Sequence, residues 1–160
     1  MIHVRRAGPL DAGAMADLLN EVIARGGTTA LTTPVTRTDM LEWMERDPLS
    51  IWHIAEDGAG GLLGFQWVER HDPQRRERLH IATFARVGRT GLGIGSALFA
   101  ATREAAREAG AREIEAEIRA DNAGGLAYYQ SRGFEDAGRR EGVLLEDGSV
   151  VDKVVKIYRL

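Results

Sequence analysis

The chain has 160 residues, a net charge of −3 at pH 7 and no cysteine. A chain of this length can bury a core that is stable without disulfide bonds. The lack of cysteine excludes disulfides, thiolate metal sites and cysteine nucleophiles, and the net charge gives no general electrostatic basis for binding nucleic acid.

The first half of the chain predicts a strand, two helices and a hairpin. Ile2 to Arg6 alternates apolar and polar residues, as a half-buried strand does. A helix follows Pro9, because apolar residues recur there at helical spacing until Gly26 and Gly27 end it. A polar loop from Thr28 to Pro34 comes next, and Thr36 then opens a second helix. The strands of the hairpin are Ile51–Glu56 and Leu62–Arg70.

The second half predicts strands alternating with helices. In chain order these are a central strand over Leu79–Val87, a helix after the glycine-rich turn at 88–96, a strand over Ile114–Ile118, a helix over Ala123–Ser131 and two final strands joined at Glu146–Ser149. The order indicates an α/β fold with a mixed sheet, in one domain spanning residues 1–160. The sequence shows neither a signal peptide nor an apolar run of roughly 20 residues, so we expect a cytoplasmic protein that does not enter the membrane.

The glycine-rich turn has the geometry of an anion site. It joins a strand to a helix, and the first backbone N–H groups of a helix favour a negatively charged guest. Gly91, Gly93 and Gly95 let the backbone approach a diphosphate closely. Alone, the pattern also fits a tight turn that needs glycine only for packing.

Three other glycine motifs fit this turn less well. A Walker A loop needs a lysine after the last glycine, and a lipase-type elbow needs glycine on both sides of the serine; Ser96 satisfies neither pattern. A dinucleotide fingerprint comes closest, with Glu115 near its acidic position. It would, however, follow the first strand of a nucleotide-binding half, with a further parallel unit beyond.

A second motif lies further along the chain. Asn122, Tyr129, Gly133 and Phe134 follow one another at spacings of seven, four and one. With the glycine-rich turn before it, this pattern resembles the GNAT superfamily of acyl-CoA-dependent N-acyltransferases. The resemblance is strong over residues 79–140 and covers element order alone in the first half.

The resemblance implies a GNAT fold, with a mixed sheet of about seven strands flanked by about four helices. It also implies acetyl-CoA as co-substrate and Tyr129 as the general acid that protonates the departing thiolate. The cofactor-binding residues that it implies are the backbone of Thr83, Phe84 and Ala85, the amides of Gly91, Leu92, Gly93, Ile94, Gly95 and Ser96, and the Asn122 side chain. One position departs from the family: Thr90 stands where a basic residue is usual, and Arg89 precedes it.

The residues that would bind the amine receiving the acetyl group are less distinct in the sequence. The candidates for assisting deprotonation of the amine are Glu69, His71, His80 and Glu21. The candidates for lining the acceptor pocket are Thr28, Thr29 and Trp67 with Gln66, although the last two also fit a core position. Part of this pattern resembles, loosely, the phosphinothricin and amino-acid acetyltransferase branch. We therefore expect a small-molecule amine as acceptor, no metal site, no nucleic-acid partner and, by family habit, a possible homodimer. A protein amine as acceptor and a non-catalytic acyl-CoA sensor remain alternatives.

Overall fold

The computed structural model describes residues 1–89 and 93–160. In these residues the chain forms β1 (His3–Arg6), α1 (Ala12–Arg25), α2 (Arg37–Arg46), β2 (Ile51–Glu56), β3 (Leu62–Glu69), β4 (Arg78–Ala85), α3 (Ile94–Glu108), β5 (Glu113–Arg119), α4 (Ala123–Ser131), β6 (Glu135–Leu144) and β7 (Val150–Arg159). A short 3-10 turn, Pro9–Asp11, precedes α1. None of the helices in the described segments is long and apolar enough to cross a membrane.

The strands form one seven-stranded sheet in the order β1-β2-β3-β4-β5-β7-β6. Neighbouring strands are antiparallel except β4 and β5, which run parallel because α3 connects them. The predicted α/β fold with a mixed sheet is therefore confirmed. The single parallel pair lies in the middle of the sheet, and each of its strands is followed along the chain by one of the two sequence motifs: β4 by the glycine-rich turn and β5 by the segment from Asn122.

Helices cover both faces of the sheet, because successive strand side chains point to opposite faces. On one face α1 and α2 pack against Trp52, Phe65 and Trp67. α1 buries Met15, Leu18, Leu19 and Val22 of its predicted apolar stripe, and the remaining residue, Ile23, is partly buried. On the other face α3 and α4 pack over Ile81 and Ile114. The two motif-bearing helices thus share one face of the sheet.

Gly64 on β3 lies in close contact with both β4 and the start of α3. A Cβ added there would lie 2.8 Å from the Phe84 carbonyl oxygen and 3.0 Å from Ile94 Cγ2. Because the first of these atoms belongs to the backbone, relief would require the strand itself to move. We expect Gly64→Ala to lower the free energy of unfolding by about 1–3 kcal/mol in a denaturant titration. Gly58→Ala is the matched control, since a Cβ at that turn position meets nothing within 4 Å; equal losses in the two variants would contradict the close approach.

Candidate active site

β4 and β5 separate after a short stretch of pairing. Their parallel pairing runs only from Arg78 opposite Glu113 to His80 opposite Glu115. Both strands then continue, β4 to Ala85 and β5 to Arg119, with no further pairing between them among the described residues. The result is a gap in the middle of the sheet that widens toward the ends of the two strands.

The register of β3 and β4 determines which backbone groups face this gap. Arg86 N donates to Leu63 O at 2.8 Å, and hydrogen-bonded pairs alternate along an antiparallel ladder. Phe84 therefore directs its backbone N–H and C=O toward β3. Thr83 and Ala85 direct theirs toward the gap. Of the three predicted strand residues, these two have backbone groups that can meet an extended ligand arm.

The Thr83 side chain joins a group of hydrogen-bonded polar side chains on the α3–α4 face. Its Oγ1 lies 2.8 Å from the Tyr129 hydroxyl and accepts from Gln66 Nε2 at 2.8 Å. Gln66 Nε2 also lies 3.1 Å from the Tyr128 hydroxyl, which in turn donates to Gly95 O at 2.8 Å. The network therefore connects β3, β4, α4 and the first turn of α3 beside the gap.

Tyr129 is held rigidly in this network. It is 7% exposed, and its ring packs edge-on against Phe134 at a centroid distance of 5.0 Å. Burial raises the pKa of the Tyr129 phenol far above its usual value, and the hydrogen bond with Thr83 offsets this only in part. The phenol is therefore protonated at neutral pH and can serve as a proton donor.

Tyr128 both packs in the core and holds the start of α3. Its ring packs against the apolar core on the same face, yet it is less buried than Tyr129. Its hydroxyl holds Gly95, and a Cβ added at Gly95 would lie 2.5 Å from Tyr128 Cε1. Glycine at 95 is thus required for the tyrosine to reach the start of α3.

The glycine-rich turn is described from Gly93 onward; Gly91 and Leu92, with Thr90, lie outside the described residues. Gly93 has a left-handed φ of 82° and is the residue before α3. Ile94 is buried at 3% exposure and anchors the helix start, whereas Ser96 is exposed. The first turn of α3 therefore has the form of an anion site next to the open end of the gap.

A cation absent from the sequence prediction lies at this helix start. Arg132, at the end of α4, donates through Nη1 to the Ser96 hydroxyl. The sequence predicted no basic residue at the usual place in the glycine-rich turn, because Thr90 stands there. The only sequence signal for Arg132 was its place directly before Gly133 in the second motif.

Asn122 and Arg119 hold the polar loop that follows α1. Asn122 Oδ1 caps α4 by accepting from Gly125 N at 3.0 Å, and its Nδ2 donates to Thr28 O at 3.1 Å. Arg119 Nη1 donates to Thr29 O at 3.1 Å. The loop therefore lies across the end of β5, where a cleft of about 250 Å³ is lined by Thr29, Thr32, Arg119, Asp147 and Ser149 among others.

A larger cleft, of about 440 Å³, lies where the paired part of β4 and β5 ends. Its lining is strongly polar and carries both signs of charge: His71, His80, Arg75, Arg78, Arg140, Asp72, Glu115 and Glu117. His80 and Glu115 are the last pair before the strands separate. The cleft and the gap therefore meet at these two residues.

His80 combines burial with a charged partner. Its side chain is 14% exposed, Nε2 lies 2.5 Å from Glu115 Oε2, and its ring stacks on His71 at 4.1 Å. Burial lowers the pKa of His80, His71 lowers it further, and Glu115 opposes both. His80 is therefore neutral at physiological pH, the form that can accept a proton.

The remaining predicted acceptor residues are already engaged. Glu69, 2% exposed, accepts two hydrogen bonds from Arg46 and lies 3.0 Å from His71 Nε2. Burial opposes ionisation, yet these partners hold the pKa of Glu69 below its usual value. Glu21 pairs with Arg86 at 2.7 Å.

The predicted acceptor residues do not form one pocket. Trp67 is 6% exposed and stacks on Trp52 at 4.2 Å in the core, so its side chain lies outside both clefts. Thr28 is exposed and Thr29 lines the smaller cleft, whereas His80 lines the larger one. The described residues contain no group of three or more His, Cys, Asp or Glu arranged to hold a metal ion.

Comparisons with known proteins agree with this geometry. The sequence profile described as "Acetyltransferase (GNAT) family" matches residues 16–134. A Bacillus subtilis (strain 168) protein provisionally named phosphinothricin acetyltransferase YwnH is 28% identical over 157 residues, 93% of each chain.

Solved structures share the whole fold. A phosphinothricin acetyltransferase from Sinorhizobium meliloti, solved with acetyl-CoA, superposes with a TM-score of 0.89 at 20% identity, over 99% of this chain and 88% of the other. A ribosomal-protein-alanine N-acetyltransferase from Brucella melitensis gives 0.89 at 25% identity, over 99% of each chain.

Fold, motifs and profile together define an acyltransferase. The chain belongs to the GNAT acetyltransferase family. It is an N-acetyltransferase with acetyl-CoA as its co-substrate.

Proposed function

We propose that this enzyme acetylates the primary amine of a small molecule, an amino acid or a close analogue, with Tyr129 as general acid. The observation that carries the proposal is the Tyr129 hydroxyl, 2.8 Å from Thr83 Oγ1 on the strand that borders the gap. A buried, protonated phenol at this position can give a proton to a thiolate leaving beside β4.

The gap and the start of α3 suit the two ends of coenzyme A. Backbone groups of Thr83 and Ala85 can hydrogen-bond to the amide-rich arm as a neighbouring strand would. Amides of the turn from Gly91 to Ser96 can hold the diphosphate, and Arg132 supplies a positive charge beside them. Asn122 retains a second amide hydrogen for the arm, beyond the one given to Thr28.

Acetyl-CoA supplies an acetyl group activated as a thioester. A backbone N–H of Thr83 or Ala85 can stabilise the negative charge that develops on the acetyl oxygen during attack. His80 is the proposed proton acceptor for the amine, because it is neutral and lies where the cleft meets the gap. Tyr129 completes the proton balance by protonating the sulfur.

The larger cleft supports a small, charged acceptor. A volume of about 440 Å³ falls in the range of small-molecule sites. Glu115 and Glu117 can attract an ammonium group, which would share them with their ion-pair partners Arg78 and Arg140, each at 3.3 Å. Arg75 can attract a carboxylate. A free amino acid carries both groups, and so does an amino-acid analogue with a phosphinate.

An acceptor panel tests the proposal. Thiol release from acetyl-CoA should be stimulated by at least one free amino acid or analogue, and the same compound with its amine already acetylated should give no stimulation. Polyamines, aminoglycosides and peptides with free N-termini complete the panel. Activity confined to peptides would refute the small-molecule acceptor while leaving the acetyl transfer intact.

A protein amine is the second candidate acceptor. The structural likeness to the ribosomal-protein-alanine N-acetyltransferase from Brucella melitensis favours it. The loop after α1 argues against an open peptide groove, because Asn122 and Arg119 tie it down and Thr33 donates to Glu146 at 2.6 Å. Peptides in the same panel decide between the two candidates.

A further inference from the structure

Gln66 is a fully buried polar residue in the middle of β3. Its side chain is 0% exposed, and its Nε2 contacts both Thr83 Oγ1 and the Tyr128 hydroxyl. Burying an amide is costly unless its hydrogen bonds serve the structure or the site. Gln66 pairs across the strands with His53 on one side and Thr83 on the other. Neither neighbour is a charged residue whose neutralisation would explain the burial of an amide.

One backbone carbonyl fixes the direction of the hydrogen bonds that link Tyr128, Gln66 and Thr83. Gly95 O can only accept, so the Tyr128 hydroxyl must donate its single hydrogen there. The Tyr128 oxygen then offers only lone pairs to Gln66. Gln66 must therefore present its NH2 group, and its second hydrogen goes to Thr83 Oγ1.

The hydrogen bond from Gln66 uses one lone pair of Thr83 Oγ1 and leaves the Thr83 hydrogen available. The remaining contact of this hydroxyl is the one to the Tyr129 oxygen, along which Thr83 can donate. With Thr83 as donor, the Tyr129 hydrogen is not used inside the network. It can be directed into the gap, where a leaving thiolate requires it.

We infer that Gln66 is a positioning residue that, through Thr83, directs the Tyr129 proton toward the leaving group and stabilises the phenolate left behind. The inference rests on the proposed role of Tyr129 as general acid. A hydroxyl that donates to a phenolate favours the charged form, which makes the phenol a stronger acid at the moment of transfer. The arrangement also excludes Tyr128 as the acid, since its hydrogen is bound to Gly95 O.

Gln66→Met is a suitable probe of this chain of donors. Methionine is similar in length and keeps the core filled, but it cannot donate to Thr83. Gln66 Oε1 has no hydrogen-bond partner among residues 1–89 and 93–160, so its removal leaves no described donor unpaired. The variant is therefore expected to fold, and a thermal melt checks this.

The expected result is a loss confined to the chemical step. Gln66→Met should lower kcat by about tenfold to a hundredfold, the worth of one hydrogen bond to a charged group, with the acetyl-CoA Kd unchanged in calorimetry. Thr83→Val should have a similar effect, and Thr83→Ser, which keeps the hydroxyl, should retain more turnover than Thr83→Val. Gln130→Met, on the exposed side of α4, is the matched control.

A double-mutant cycle separates this inference from the proposed function. In a Tyr129→Phe background, Gln66→Met should cause no further loss, because it acts through the phenol. The same fold loss in both backgrounds, or an unchanged kcat in Gln66→Met alone, would overturn the positioning role. If Tyr129→Phe itself leaves kcat unchanged, the general-acid proposal fails first.

Discussion

Tyr129→Phe is expected to lower kcat by about 10²–10⁴-fold, the usual contribution of a positioned general acid. The variant keeps the ring that packs on Phe134 and loses only the hydroxyl beside Thr83. Since the phenol is proposed to act on the leaving group and not to bind the cofactor, the acetyl-CoA Kd should stay near the wild-type value. Stopped-flow thiol release and calorimetry measure the two quantities separately.

Tyr158→Phe is the control for this result. Tyr158 also packs in the core on the same face, at 5.4 Å from Phe134, and its hydroxyl contacts Arg103 at 3.4 Å, not the network around Thr83. This variant should retain turnover. A Tyr129→Phe enzyme as active as Tyr158→Phe would remove the phenol from the mechanism.

His80→Gln is expected to lower kcat/KM by about a hundredfold or more at neutral pH, because the amine would lose its proposed proton acceptor. His3→Gln, at an exposed position on β1, should have no such effect. A wild-type rate in His80→Gln would assign the proton transfer to solvent or to another group in the cleft.

The pH dependence of kcat/KM tests the proposed role of His80 as the proton acceptor. A base accepts a proton only when it is neutral, so kcat/KM should fall as pH drops through the pKa of His80, which burial holds below the ordinary histidine value. Glu115 raises that pKa and His71 lowers it. Glu115→Gln should therefore move the acid limb to lower pH, and His71→Gln should move it to higher pH. Shifts of the same sign in both variants would exclude His80 as the titrating group.

Local signals in the sequence predicted the elements well. The helix Ala123–Ser131 has the predicted bounds. Thr36 opens α2 as predicted, and it forms a capping box with Asp39, whose N donates to Thr36 Oγ1 at 3.0 Å. Apolar spacing also identified the buried stripe of α1. These features depend on residues a few positions apart, which a sequence pattern can reveal.

The sequence could not show which acid–base residues lie together, because their contacts depend on how the strands pair in the folded sheet. His80 meets Glu115 only because the parallel register of β4 and β5 sets them side by side, and it meets His71 only because the chain turns back after β3. The positioning role of Gln66 gave no signal in the sequence, since a buried glutamine on a strand resembles any other polar interruption. The separation of Thr29 and His80 into two clefts likewise depends on where the loop after α1 is tied.

A crystal structure with coenzyme A and the acceptor identified by the panel tests the central claim most directly. The account predicts that the thiol sulfur lies within hydrogen-bonding distance of the Tyr129 hydroxyl and that the acceptor amine lies in the cleft lined by His80 and Glu115. A sulfur beyond reach of Tyr129, or an acceptor seated elsewhere, would contradict it.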